Sequence, residues 1–198
     1  MSKNYIINDL INSLQKLPTI GQKTAKRIAL NILQNKEYII KPLINSLTEA
    51  YEKVNKCKIC GNFTTDDLCD ICGSEIRDKT VICIVESIAD LWAIENTGIY
   101  NGTYHILDGT LSAIEGRGTE VLHLDRLINR IKENNIKEVI IATNPTLDGQ
   151  TTAFYISSSL EEFGVKVTQP AYGVPMGSEL NYLDDSTLNI AFKNKKEF

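Results

Sequence analysis

No stretch of this chain approaches the about 18 consecutive apolar residues that a membrane-spanning helix requires, so a span is excluded. The N-terminus, MSKNYIINDLINSLQKL, interrupts its apolar residues with polar ones, and no small-residue cleavage site follows. No secretion signal is read there, and the cytoplasm is the expected compartment. No G-x-x-x-x-G-K-[ST] string occurs, which argues against P-loop ATP hydrolysis. Low-complexity tracts are missing too. With 42% hydrophobic and 23% charged residues among 198, long disorder is not expected and a sizeable core is. Charge of neither sign is in large excess. Lys and Arg number 21 against 25 Asp and Glu, and the net charge of -4 speaks against a nucleic-acid binder that works by bulk charge.

The distribution of charge is uneven. From Met1 to Lys56 there are nine basic and four acidic residues, a balance of +5; from Thr80 onward there are nine basic and sixteen acidic, a balance of -7. The chain has a basic head and an acidic body.

Four of the five cysteines fall in one window, Cys57, Cys60, Cys69 and Cys72, spaced C-x2-C-x8-C-x2-C within the near-repeats CKICG and CDICG. Two C-x2-C turns bring four thiolates to one ion at about 2.3 Å in a tetrahedron. Gly61 and Gly73 follow each second cysteine, where the chain must turn sharply. Two disulfides are the alternative, but a reducing cytosol does not sustain them. Four cysteines leave no open position for water, so one structural Zn²⁺ per chain is expected. Cys83, inside VICIV, reads as a small buried hydrophobe.

Hydrophobic spacing divides the chain. Residues 6–17 and 22–34 carry apolar residues at helical intervals, and Pro42 opens a third helix running toward Val54. After the cysteines the pattern changes. Thr80–Glu86 and Glu138–Thr143 are continuous apolar runs of the buried parallel type, with shorter strands at Thr103–Leu107 and Val165–Gln169. Helices are predicted at Ile88–Asn96, Leu122–Asn134 and Thr151–Phe163 between them. Alternating strands and helices imply an α/β fold with a mainly parallel sheet. The divide between the two halves is expected near Ile76–Lys79.

Three segments carry functional signals. Leu17–Leu30, LPTIGQKTAKRIAL, places Pro18 and Gly21 in a tight turn between two amphipathic helices and looks like a helix-hairpin-helix. Such a motif aims helix N-terminal amides at a DNA phosphate. Gly21 would allow close approach, while Lys23 and Arg27 supply charge beside it, and these contacts would not read sequence. A plain hairpin with a solvated basic face is the competing view. The second segment is IVES. Glu86 at the end of the first strand resembles the start of a Toprim domain, in which a glutamate and a later Asp-x-Asp pair hold Mg²⁺ for phosphoryl transfer. Here Asn144 and Thr146 stand where that pair would be, with Asp148 two residues beyond, in a loop. An amide and a hydroxyl ligate Mg²⁺ weakly compared with carboxylates. The third is the tail from Ala171, a Gly/Pro-rich loop followed by acids and a short amphipathic helix, expected to pack on the α/β half or on another subunit.

The order of these parts, and the strings LP-x-IG-x-K-x-A-x-R-IAL, IVES, YHIL-x-G-x-LS and ATNPT-x-x-G-x-TA, resemble the RecR family of bacterial recombination mediators along essentially the whole chain. Departures are Thr19, where the family commonly has glycine, and Asp108 and Arg117, in segments usually more apolar or Gly-rich. The resemblance implies four parts: a helix-hairpin-helix region at 1–56, a zinc finger at 57–72, a Toprim domain at 80–175 and a C-terminal oligomerisation tail at 176–198. It also implies a non-catalytic ring, usually a homotetramer. Such a ring acts with RecO and RecF to load RecA onto single-stranded DNA coated by SSB. Carried over by residue, Gly21, Lys23 and Arg27 contact DNA, and Glu86, Asn144 and Asp148 form a partner-docking Toprim face. A Mg²⁺-dependent nuclease or primase-like enzyme is the alternative.

Overall fold

The computed structural model describes residues 5–195, so the outermost ends of the two expected terminal segments, 1–4 and 196–198, lie outside the described residues. Two compact units emerge, one ending at Val54 and one beginning at Asn55.

The first unit is helical. α1 (Tyr5–Gln15) packs on α2 (Gln22–Gln34). A π-helical stretch, Lys36–Ile40, then leads into α3 (Lys41–Lys53), which has a proline in its first turn. α1 stops two residues short of the predicted end, because its last backbone bonds tighten to Lys16 N–Ser13 O and Leu17 N–Leu14 O ahead of Pro18. In the turn, Thr19 adopts φ +66°. That left-handed conformation suits glycine and strains a β-branched residue.

The second unit opens with a two-stranded hairpin, β1 (Asn55–Lys56) and β2 (Phe63–Thr64), and the short helix α4 (Asp70–Gly73). The α/β layers follow: β3 (Asp78–Val85), α5 (Ile88–Glu95), β4 (Gly102–Ile106), α6 (Leu124–Glu133), β5 (Glu138–Ala142), α7 (Leu147–Leu160), β6 (Lys166–Thr168) and finally α8 (Asp185–Lys193). All four strands of the main sheet are parallel, in the order β4-β3-β5-β6. The predicted α/β architecture and each predicted strand are present. The helix expected from Thr151 begins four residues earlier, at Leu147, because Thr146 caps it by accepting the Gly149 N–H at 3.1 Å. Asp148 therefore lies on the first turn of α7, not in a loop as the sequence implied.

Alternation along β3 sorts the core into two faces. Ile82 and Ile84 join Leu127, Val139, Ile141 and Ile156 in one buried cluster. Cys83 and Val85 join Leu91, Tyr104, Ile106 and all four zinc-loop cysteines in the other. Cys83 is buried as expected, which pushes its thiol up to about 12. The zinc loop thus shares a core with the sheet, and the compact unit starts at Asn55, well before the divide expected at Ile76–Lys79. A clamp helps hold α5 on this face. The Arg77 guanidinium donates to both Glu95 oxygens, at 2.9 and 2.5 Å, and the Tyr104 hydroxyl donates to Glu95 at 2.7 Å. The Arg77 hydrogen bonds hold the Glu95 carboxyl below its ordinary range.

Candidate functional site

Three groups of residues were expected to carry function, and each is built by a different local device. The Sγ atoms of Cys57, Cys60, Cys69 and Cys72 lie within 4.8 Å of one another, and all four residues are buried. The first pair is bent into a knuckle by Gly61 N–Cys57 O (3.0 Å), with Gly61 at φ +86°; the second sits on α4, closed by Gly73 N–Cys69 O (2.9 Å). The Asn62 N–H donates to Cys60 Sγ at 3.4 Å, as backbone amides do at tetrathiolate sites. Ile106 N donates to Cys60 O at 3.0 Å and so ties the knuckle to β4. Donation of the Cys60 thiol to the Cys69 sulfur, together with burial, pushes the Cys60 thiol up to about 12. Four thiols this crowded and dry need a cation to be held as thiolates. A tetrahedron with arms of about 2.3 Å has edges of about 3.8 Å, which matches the clustering.

The second group sits at the carboxyl ends of β3 and β5. Val85 is in register with Ala142, so the residues that leave the two strands meet. Chain order reverses here, because β4 lies on one side of β3 and β5 on the other; ligand crevices of open α/β sheets form at such points. Glu86 Oε1 accepts the Asn144 backbone N–H at 2.7 Å, and Oε2 accepts the Asn144 side-chain amide at 2.7 Å. Asn144 is therefore a donor to Glu86. The Thr146 hydroxyl is committed to capping α7. Asp148 faces Arg117 at 3.9 Å, and Arg117 also reaches Glu115 at 3.3 Å. The structure joins Glu86 with Asn144 and gives Asp148 a different partner.

Sequence reasoning missed Gly149, which makes this arrangement fit. A Cβ there would lie 2.1 Å from Asn144 O and 2.8 Å from Glu86 Oε1. The signal was available, since Gly149 is the glycine of ATNPT-x-x-G. Also missed was His105 on β4. Its side chain is 2% exposed, and neither ring nitrogen has a hydrogen-bond partner among the described residues. Burial, then the Arg130 and Arg126 charges, lower its pKa to about 3 and keep the ring neutral.

The third group belongs to the helical unit. Lys23 and Arg27 are exposed one turn apart on α2, and neither is paired with a carboxylate among the described residues. Gly21 is the N-cap of α2, in an extended conformation (φ -76°, ψ 169°), with no side-chain cap bond. No atom lies within 4 Å of where its Cβ would be. Neither backbone angle nor internal packing calls for glycine there.

Comparison with known proteins fits this inventory. Family models match residues 7–51 as the RecR helix-hairpin-helix, 54–74 as the RecR four-cysteine zinc finger domain, 80–171 as a Toprim domain and 173–196 as the RecR C-terminal region. The chain is 47% identical over 195 residues to Recombination protein RecR of Rickettsia bellii, covering 98% of both chains. Recombination protein RecR of Rickettsia massiliae is 48% identical over 97% of this chain and 96% of its own, and that of Parvibaculum lavamentivorans 44% over the same shares. The chain belongs to the RecR family. A role in recombination and repair follows. The four clustered thiols, matched by the RecR zinc finger, fit one structural zinc per chain. No helix among the described residues is long and apolar enough to cross a membrane.

Proposed function

We propose that the chain is a non-catalytic DNA repair and recombination mediator. It assembles as a homo-oligomeric ring, tetrameric, in the bacterial cytoplasm. It grips the DNA backbone without sequence preference and works with RecO and RecF to load RecA onto SSB-coated single strands. The observation that carries the non-catalytic part is the Glu86–Asn144 pair. Both carboxylate oxygens accept from Asn144, where a metal-binding Toprim face would present further carboxylates. A surface of one satisfied carboxylate, an exposed amide and the Asp148–Arg117 pair suits docking of a protein partner such as RecO.

Gly21, Lys23 and Arg27 form the DNA contact. The uncapped amides of α2 meet a phosphate that can come close only because Gly21 has no side chain, and the two cations flank it. The apolar residues Leu43, Ile44, Leu47 and Tyr51 on α3 are exposed in the isolated chain and supply a surface for self-association. A ring gathers several weak phosphate contacts into one useful affinity. By function we read the chain as a helix-hairpin-helix region at 1–56, zinc finger at 57–72, Toprim domain at 80–175 and tail at 176–198.

The test is incubation of the pure zinc-loaded protein with labelled single- and double-stranded DNA in Mg²⁺ or Mn²⁺, beside titration with RecO. No cleavage, ligation or priming is expected, and Glu86→Ala should weaken RecO binding. Turnover that Glu86→Ala abolishes would establish the Mg²⁺-dependent enzyme instead.

A further inference from the structure

A tetrathiolate zinc centre carries a net charge of -2, and this one lies in the apolar cluster beneath β4. Burying uncompensated charge is costly, so a centre of this kind calls for donors or cations close by. Backbone amides supply part of this: the Asn62 N–H donates to Cys60 Sγ, and the Ile71 and Cys72 N–H groups act on Cys69 in the same sense. The cations of the loop itself are turned elsewhere: Lys56 pairs with Asp108 and Lys58 with Asp67.

Arg130 on α6 presents the converse problem. Its guanidinium is half-buried, yet it meets only neutral acceptors: Tyr104 O at 2.6 Å and Thr103 Oγ1 at 3.1 Å. No carboxylate oxygen lies within 4 Å of it among the described residues, although buried charges are ordinarily paired. It lines a cavity of about 390 Å³ together with Cys72, Ile59, Lys79 and Glu133. Burial is the largest influence on the guanidinium and lowers its pKa; Cys72, Cys60 and Cys57 act in the opposite sense. Lys79 and Glu133, both exposed, bring opposite charges to the same cavity.

We infer that Arg130 is the built-in counter-charge of the zinc centre: fastened to Thr103 and Tyr104 of β4, the guanidinium offsets the excess negative charge of the four thiolates and slows loss of the metal. It is a positioning residue that acts on the metal's ligands through the field and touches no DNA. Its location explains why a cation interrupts the apolar stripe of α6, three residues past Leu127 and one before Ile131, both buried. The inference rests on the zinc assignment and adds to it a residue outside the four-cysteine motif.

The experiment measures zinc affinity and release in the full chain by competition with a chromophoric chelator. Co²⁺ substitution is followed in parallel through the thiolate-to-metal charge-transfer band. Arg130→Gln should weaken zinc binding by about 10–100-fold, as outer-sphere substitutions at metal sites do. Arg130→Lys, which restores the charge without the planar fork, should recover most of the loss. If Arg130 only fastens α6 to β4, both variants lower the melting temperature while zinc affinity stays at the wild-type value, and that result overturns the inference. Should Arg130→Gln fail to fold, Glu133→Gln reads the same field from an exposed position. It should tighten zinc binding by about 2-fold or more at low salt, with the gain shrinking as salt screens it. No change in that variant overturns the inference equally. Wild-type protein that purifies folded without zinc would instead remove the zinc assignment itself.

Discussion

In the helical unit only Ala25, Ala29 and Ile32 are buried among the described residues, whereas the α/β unit buries Ile82, Ile84, Leu91, Tyr104, Leu127, Val139, Ile156 and many more. Large apolar side chains are plentiful in both. In the first they face outward, with Tyr38 and Tyr51 88% and 90% exposed; in the second they fill both faces of a sheet. Three helices with small residues at their contact make a unit that leaves most of its large apolar side chains exposed. A parallel sheet covered by α6 and α7 on one face and by α5 and the zinc loop on the other completes itself. Basic charge collects on the open unit and acidic charge on the closed one. The proposed roles divide the same way, with self-association and DNA binding assigned to the open unit and partner docking to the closed one.

Removing zinc attacks the closed unit, with the largest effect expected. Cys57→Ser should leave the protein without metal and the α/β unit poorly folded, since structural zinc contributes about 10–16 kcal/mol of apparent binding free energy, more than a domain's usual net stability. Metal analysis and thermal unfolding check this. A Cys57→Ser protein of wild-type stability without zinc would show that the sheet does not depend on the loop it packs against.

Acid should come next, again through the closed unit. His105 is held neutral in the fold, with a pKa of about 3 against an ordinary 6.5, so protons bind the unfolded chain first as pH falls. Its contribution is complete above about pH 6.5 and is lost as pH drops toward the folded value, by about 1.4 kcal/mol per unit. Chemical denaturation at pH 7, 6 and 5 should show that loss, and His105→Leu should flatten it. An unchanged midpoint across this range in the wild type would contradict the buried neutral ring.

The smallest of these effects belongs to the open unit. Thr19→Gly removes a left-handed β-branched residue at a cost of about 1–2 kcal/mol but restores glycine's entropy in the unfolded chain, for a net gain of about 1 kcal/mol or less. Helix-monitored unfolding would register it. A loss of stability would mean that the Thr19 side chain contributes more than its backbone strain costs.

Much of this architecture was legible from residue patterns, because the two central strands, Thr80–Glu86 and Glu138–Thr143, are apolar runs and the first helices carry apolar residues at helical intervals. The four-cysteine site was legible because its spacing is its geometry. Less visible were features set by three-dimensional neighbours. The early start of α7 depends on Thr146 as a cap, which the reading of Thr146 as a stand-in for an aspartate obscured. The Glu86–Asn144 pair needed the β3–β5 register, which no local pattern prints. The zinc loop's allegiance to the sheet rests on Ile106 N–Cys60 O and on Tyr104 packing, both long-range. The strain at Thr19 is likewise invisible in the residue string, because only φ +66° reveals it.

The division of labour between the two units is tested most directly by the salt dependence of single-stranded DNA binding in the wild type and in Lys23→Ala/Arg27→Ala. Each phosphate neutralised on a single strand contributes about 0.7 to the slope of log affinity against log salt. A hairpin that grips the backbone predicts that the double variant binds more weakly on every sequence, with a shallower slope and with folding and zinc content intact. An unchanged slope, for the protein alone and in complex with RecO, would contradict it and move DNA binding off α2.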